Sequence, residues 1–257
     1  MRSVEFCVVL LYHQNNKQCM WKNKLIAIKN FLIETLFPKS CIGCQKEGFW
    51  LCEDCIFTLE IQNWCLCPIC QKRVLNFKTC PNCKSKTKLN GLFIPLSYEN
   101  LLVKKTIRLF KYEPFLKELY LPLSYIIISH LNLIECNIFD DKFVIIPVPL
   151  YKSRLKWRGY NQAELIAKEL SSVLRISFDK NNLIKIKNTP PQAELIQEDR
   201  FKNVTNVFLC QNPENIKNKK VLLIDDIYTT GTTMEECAKI LKQSGAKEVW
   251  GLVVARG

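Results

Sequence analysis

A chain of 257 residues with 48% hydrophobic content can bury a real core and has room for one mid-sized domain plus a smaller module. Its formal net charge is +13. Residues 1–88 hold thirteen Lys/Arg against six Asp/Glu, so the excess is denser in the first third. That balance favours an anionic partner such as nucleic acid, the plain alternative being a Lys-, Asn- and Ile-rich proteome bias. No apolar run reaches membrane-helix length, which argues against stable membrane insertion.

In chain order, Met1 to Tyr12 carries one Arg and a short apolar stretch without a small-residue cleavage pattern, so it does not read as a signal peptide. Met20 is an alternative start, which would leave residues 1–19 untranslated. Trp21, Leu25, Ile28, Leu32 and Leu36 recur at three- and four-residue steps, predicting a helix over 21–37 that Pro38 stops. Packing against the following module is its plain reading, and membrane-surface binding is the alternative. Residues 1–37 thus form an N-terminal extension and helix.

Residues 41–83 hold four Cys-x-x-Cys pairs: Cys41/Cys44, Cys52/Cys55, Cys67/Cys70 and Cys80/Cys83. Four such pairs so close together predict two structural Zn2+ sites, each with four thiolate ligands. Consecutive and interleaved pairing both satisfy the spacing. A redox role for a single pair is the alternative, but no thioredoxin-like strand pattern surrounds them. A segment this short and loop-rich needs metal to supply its folding energy. Cysteine usage of this kind fits a reducing, cytoplasmic setting. Cys65 is out of step with the pairs, and Cys7, Cys19, Cys136, Cys210 and Cys237 are isolated.

Beyond the polar linker Lys84–Lys88, Gly91–Ser97 reads as a strand and Leu101–Phe110 as a short amphipathic helix bearing Lys104, Lys105 and Arg108, with Lys111 close behind. Those charges suit a solvated face or a nucleic-acid patch. Pro114 opens another predicted helix, running to about Leu131, which Pro122 would kink. Phe143–Leu150 reads as a buried strand ending in prolines. Lys152, Arg154, Lys156 and Arg158 follow with no acid until Glu164, a basic loop suited to a second anion, such as pyrophosphate, or to nucleic acid. The alternative is a solvated loop. A helix over Asn161–Leu174 and a strand over Leu183–Ile186 come next. The polar segment holding Gln192, Arg200 and Asn203 lies where a functional lid would lie, a disordered insertion being the alternative.

The most informative stretch is Val221–Thr233. A buried parallel strand, Val221 to Ile224, leads into Asp225 and Asp226, then Thr229, Thr230, Gly231, Thr232 and Thr233, and a helix over 234–244. A hydroxyl-rich turn opening a helix presents backbone N–H groups at the positive end of the helix dipole, which is a phosphate cradle. Two ionised carboxylates suit a vicinal diol, and a divalent cation is the expected mediator for an anionic ligand. Phosphate, diol and cation together describe a sugar phosphate. An ordinary capped turn with solvated acids is the plainer reading. No Walker loop or dinucleotide turn is present. Glu248–Ala255 makes a last strand.

The Val221–Thr233 stretch resembles the 5-phosphoribosyl-1-pyrophosphate (PRPP) motif of type I phosphoribosyltransferases. The resemblance implies that Asp225 and Asp226 hold the ribose hydroxyls, that Thr229–Thr233 bind the 5-phosphate, and that Mg2+ accompanies PRPP. Taken whole, residues 38–257 resemble the ComF family of competence-associated proteins, which includes GntX-type members. The resemblance is carried by the cysteine pairs, Phe110-Lys111-Tyr112, Pro147–Leu150, Arg158–Ala163, Thr189 through Gln192 to Arg200 and Asn203, and the acidic–threonine loop. It implies an α/β fold: a type I phosphoribosyltransferase-like parallel sheet flanked by helices over 89–257, preceded by a small four-cysteine zinc-ribbon module over 38–88.

The family is associated with natural transformation and DNA uptake. The resemblance therefore implies single-stranded DNA and DNA-uptake or recombination proteins as partners, beside PRPP or a related sugar phosphate. A pentosyl glycosyltransferase acting in metabolism on an unidentified acceptor and a non-catalytic nucleotide-sensing regulator are the other readings. No catalytic base stands out, since His13 and His130 fall outside the motifs. Tyr228 stands where the family usually has a small or β-branched residue, a position from which it would crowd or stack on a ligand.

Overall fold

The computed structural model describes residues 38–188 and 207–257. The expected 21–37 helix and the Gln192, Arg200 and Asn203 segment lie outside the described residues. Contacts divide the chain into residues 1–41 with 45–49 and residues 42–44 with 50–257. All elements named below belong to the second unit.

Its centre is a six-stranded parallel sheet. The strands are β3 (Gly91–Phe93), β4 (Leu96–Ser97), β5 (Phe143–Pro147), β6 (Ser177–Phe178), β9 (Lys220–Tyr228) and β10 (Glu248–Arg256). The order is β3-β10-β9-β5-β6, with β4 also beside β10. Parallel strands covered on both faces read as continuous apolar runs. Accordingly, Val221 through Ile224 and Val249 through Ala255, apart from Gly251, are buried hydrophobics. The single strand expected over 91–97 is two strands, because Ile94-Pro95 lies between them and proline cannot donate to a ladder.

Two short antiparallel ribbons lie outside the sheet: β1 (Cys65–Leu66) with β2 (Arg73–Val74), and β7 (Leu183–Lys185) with β8 (Phe208–Cys210). The predicted 183–186 strand therefore lies outside the central sheet. It pairs with β8, and the two strands flank residues 189–206.

The helices are α1 (Glu53–Phe57), α2 (Leu101–Lys111), α3 (Tyr120–Leu133), α4 (Lys152–Arg158), α5 (Gln162–Leu174) and α6 (Thr232–Gln243). Asn100 caps α2, its side chain accepting from Leu102 N and Val103 N, and Asn161 caps α5 through Ala163 N. One core cluster joins α6 (Met234, Cys237, Ala238, Leu241) to Val221 and Leu223 of β9 and to Leu183 and Phe208 of the β7–β8 ribbon. Leu222 and Ile224, next along the strand, belong by alternation to the other face, where α5 contacts β5 and β9. Gly251 allows the close approach of α6: a Cβ there would lie 2.5 Å from the Met234 sulfur.

Two further expectations are corrected. The helix after Pro114 begins only at Tyr120, behind a short 3-10 turn at Lys117–Leu119. Pro122 then sits in its first turn, where the missing N–H has no intrahelical partner to lose, so a kink has no cause. The basic stretch at 152–158 is helix α4, not a loop, and Gly159 terminates it at φ 81°.

The linker after Cys83 is fastened to α6. Thr87 Oγ1 donates to Glu235 Oε2 and Lys88 N to Glu235 Oε1, both at 2.6 Å. Glu235→Ala removes the acceptor of both and should destabilise the protein by about 2 kcal/mol, read as a lower urea midpoint with the slope unchanged.

Candidate functional site

β9 carries the acids at its carboxyl-terminal end, where ligands bind in open parallel sheets. Asp225 and Asp226 are consecutive strand residues, so their side chains leave the strand towards opposite faces. The Asp225 side chain then folds back, its Oδ1 accepting from Asp226 N at 2.8 Å. Asp226 is buried and forms a salt bridge of 3.0 Å with Lys111 Nζ, at the end of α2. The acids are thus held by local bonds as well as by the strand.

The surrounding charges set their protonation. Burial, followed by the neighbouring Asp226 charge, pushes the Asp225 carboxyl up to about 7; Lys111 and Lys185 pull the other way. Burial works against the Lys111 charge, but Asp226 and Asp225 outweigh it and hold its pKa above the ordinary lysine value.

The threonine turn follows as expected. Gly231 caps α6 at φ 77°, a conformation that favours glycine. Thr229 is exposed, Thr230 and Thr233 are half-buried, and Thr232 is buried. The hydroxyls of Thr230 and Thr232 lie 2.9 Å apart. The first-turn amides of α6 are the groups such a turn offers to an anion.

Tyr228 does not stand where a ligand would stack. Its ring is buried against Gly231, and a Cβ at Gly231 would collide with the Tyr228 hydroxyl. That hydroxyl reaches Pro68 O at a long 3.4 Å, between Cys67 and Cys70, and the Arg256 guanidinium lies 5.3 Å from the ring centroid. The phosphate-type turn therefore rests on the second cysteine group through one aromatic ring.

The four basic residues of 152–158 divide. Lys152 and Lys156 are exposed and Arg154 is half-buried. Arg158 is buried, bonds Gln162 Oε1 through Nη1, and lies within the field of Asp226. Its Nε is buried with no hydrogen-bond partner among the described residues. Composition could not separate these roles, because helical geometry turns Arg158 inward while Lys156 faces water. Sequence reasoning grouped Lys111 with the solvated or nucleic-acid-facing charges of the 101–110 helix and gave it no part in the acid site. Its one signal was the Phe-Lys-Tyr motif, and only the fold brings it to Asp226. His130 is elsewhere, buried with Nδ1 against Gln62 O.

The cysteines fall into two groups, Cys41, Cys44, Cys52 and Cys55, and Cys67, Cys70, Cys80 and Cys83. Within each, the sulfurs lie within 4.8 Å of one another. Pairing is consecutive, not interleaved. Four thiolates at about 2.3 Å from a tetrahedral ion would stand about 3.8 Å apart. Cys44–Cys52 at 3.5 Å and Cys70–Cys80 at 3.7 Å fit that spacing. Cys65 is buried and belongs to neither group.

Residues 160–257 match the phosphoribosyl transferase domain model. Competence protein F of Haemophilus influenzae is 33% identical over 230 residues, covering 79% of this chain and 96% of that protein. The chain belongs to the ComF family. Other ComF-family relatives include the DNA utilization protein YhgH of Escherichia coli K12, 27% identical over 79% of this chain and 96% of that protein. Competence protein ComFC of Bacillus subtilis is 24% identical over 76% and 79%. Among solved structures, purine phosphoribosyltransferase from Pyrococcus horikoshii aligns at 15% identity over 65% of this chain and 88% of that one, with a TM-score of 0.30. The fold is a parallel-sheet α/β fold of phosphoribosyltransferase type, as the ComF resemblance implied, with the two cysteine groups preceding it. No helix among the described residues is long and apolar enough to cross a membrane.

The raised Asp225 carboxyl makes a signed prediction. Between the ordinary aspartate value and about 7 it is protonated in the folded chain and ionised in the unfolded one, so stability falls as pH rises through that window. Asp225→Asn escapes this loss. Its melting temperature should exceed the parent's by about 4 °C at pH 8, with the gap closing below about pH 4. Thermal melts across that range check it.

Proposed function

We propose that this ComF-family protein binds PRPP, or a related sugar phosphate, and handles single-stranded DNA during natural transformation or DNA uptake. The observation that carries the reading is the site at the end of β9: an acid pair balanced by Lys111 stands two residues before a threonine turn that opens a helix. Asp225 and Asp226 take the ribose hydroxyls. Thr229, Thr230, Gly231, Thr232 and Thr233 take the 5-phosphate. Arg158, buried beside Asp226 with its Nε unpartnered, suits pyrophosphate, and the exposed Lys152 and Lys156, with Arg154, suit the nucleic-acid backbone. Mg2+ would accompany PRPP and add charge neutralisation at the diphosphate. Gln192, Arg200 and Asn203 belong to a lid by family resemblance.

Domain boundaries of 38–88 for the ribbon and 89–257 for the transferase-like part, a cytoplasmic location, and DNA-uptake or recombination proteins as partners belong to the same reading. The names of the relatives, a competence protein and a DNA utilization protein, support it. Phosphoribosyl transfer to an acceptor is the enzymatic form of this function.

Calorimetry with PRPP and Mg2+ should show binding that Asp226→Asn weakens at least about tenfold, since a charge-assisted hydrogen bond is lost. Absence of binding by the parent overturns the sugar-phosphate part. Binding of a single-stranded oligomer should fall steeply with salt, log affinity against log salt having a negative slope of about 0.7 per neutralised phosphate. A flat response overturns the DNA part.

The metal is proposed to be structural zinc, because the donor set is four thiolates at tetrahedral spacing with no other ligand. Protein purified under reducing conditions should contain about two zinc ions per chain, and Cys70→Ser about one. Elemental analysis checks both.

A further inference from the structure

At the carboxyl-terminal end of α2 lies a recess that the phosphoribosyl reading does not use. Its volume is about 480 Å³, and Arg108, Tyr112, Glu113 and Trp157 line it. Arg108 is on the last turn of α2, Tyr112 caps that helix, and Trp157 is on α4. Trp157 is 55% exposed and Tyr112 39% exposed, large for aromatic side chains in a folded domain. Trp157 is not loose: Phe115 holds it edge-on, with ring centroids 4.9 Å apart and planes at 84°. Phe115 thus anchors the indole, and the exposed part of the ring system is available for stacking.

The recess adjoins the proposed ribose site through the chain itself. Tyr112 directly follows Lys111, whose Nζ lies 3.0 Å from Asp226. Tyr112 also lies within the electrostatic field of both Lys111 and Arg158. Arg154, three residues before Trp157, shares its face of α4.

We propose that this recess is a nucleobase subsite, taking an amino-bearing base together with its phosphate next to the phosphoribosyl site. A base offers a flat π-face, which Trp157 and Tyr112 match and which aliphatic ligands lack. Arg108 supplies a planar fork for the phosphate. Glu113 is the one acid in the lining. It repels a bare anion but accepts from an exocyclic amine, as carboxylates do from cytosine N4. That combination favours cytosine over thymine, which has no exocyclic amine. The placement beside the ribose site rests on the phosphoribosyl reading, but the stacking chemistry does not.

The test is tryptophan fluorescence of the full chain, titrated with a short deoxycytidine oligomer, a deoxythymidine oligomer and free dCMP. The deoxycytidine oligomer should quench emission. Trp157→Leu should remove that quench and weaken binding about tenfold, and Trp157→Phe, which keeps a stacking face, should restore most of the affinity. Arg108→Gln should weaken oligomer binding, and Glu113→Gln should narrow the preference for deoxycytidine over deoxythymidine. A quench by dCMP that Trp157→Leu removes identifies the free nucleotide as the source; a quench by the oligomer alone identifies a strand.

Unchanged oligomer affinity in Trp157→Leu, or equal binding of the two oligomers by the parent, overturns the subsite. PRPP calorimetry on Trp157→Leu separates the two readings. Normal PRPP binding with lost oligomer affinity supports the base subsite and shows that the variant is folded. If the parent binds no PRPP but the Trp157-dependent quench remains, the base subsite stands and the phosphoribosyl reading falls.

Discussion

The site depends on placing two adjacent carboxylates at a buried strand end without leaving both charged and uncompensated. Isolated buried charge costs several kcal/mol, so such a pair persists only with a cation or with one carboxyl keeping its proton. Both devices are present. Lys111 lies against Asp226, and Asp225 holds its proton up to about 7 while folding back onto the Asp226 amide. Lys111 is delivered by α2, whose start is set by the Asn100 cap and whose buried face carries Val103, Thr106, Ile107 and Phe110. The acid pair thus ties a loop-proximal helix to the sheet, and any ligand that takes Asp226 must compete with or share Lys111.

The threonine turn has support on two sides. On its interior, Tyr228 fills the space that Gly231 leaves and reaches the knuckle between Cys67 and Cys70. On its helical side, Glu235 holds Thr87 and Lys88 at the end of the cysteine-rich segment. The second cysteine group is therefore part of the turn's foundation rather than a remote attachment. This gives a physical reason for the cysteine-rich segment and the turn to occur in one chain: the ordering of the knuckle backbone and of the phosphate-type turn depend on the same ring.

Legibility differed by element. The last strand, the apolar first half of the 220–228 strand and most of the 232–243 helix were readable because buried parallel strands and amphipathic helices have distinct periods, and because glycine marks the turn; the strand's continuation through the acids to Tyr228 was not. The cysteine groups were readable as ligands because their spacing is local. Less legible was 152–158, where alternating cations suggested a loop, although Leu155 and Trp157 among them and Gly159 beyond are compatible with a short capped helix. The helix start at Tyr120 and the split of the 91–97 strand each turned on where a proline fell within an element. Tyr228 was misread because a strand residue's direction depends on what packs against each face.

By itself, the order of residues determined which chemistry is present: thiolates in pairs, adjacent acids, hydroxyls around a glycine, and an excess of positive charge. These properties are local, so they survive without a fold. Only the tertiary structure decided that cysteine pairing is consecutive, that Arg158 is buried while Lys156 is not, that Lys111 crosses 115 residues of sequence to meet Asp226, and that Tyr112 and Trp157 share one recess. The last two are contacts between distant segments, whose partners are chosen by how the sheet is covered, while the cysteine grouping and the burial of Arg158 depend on how the backbone turns each side chain.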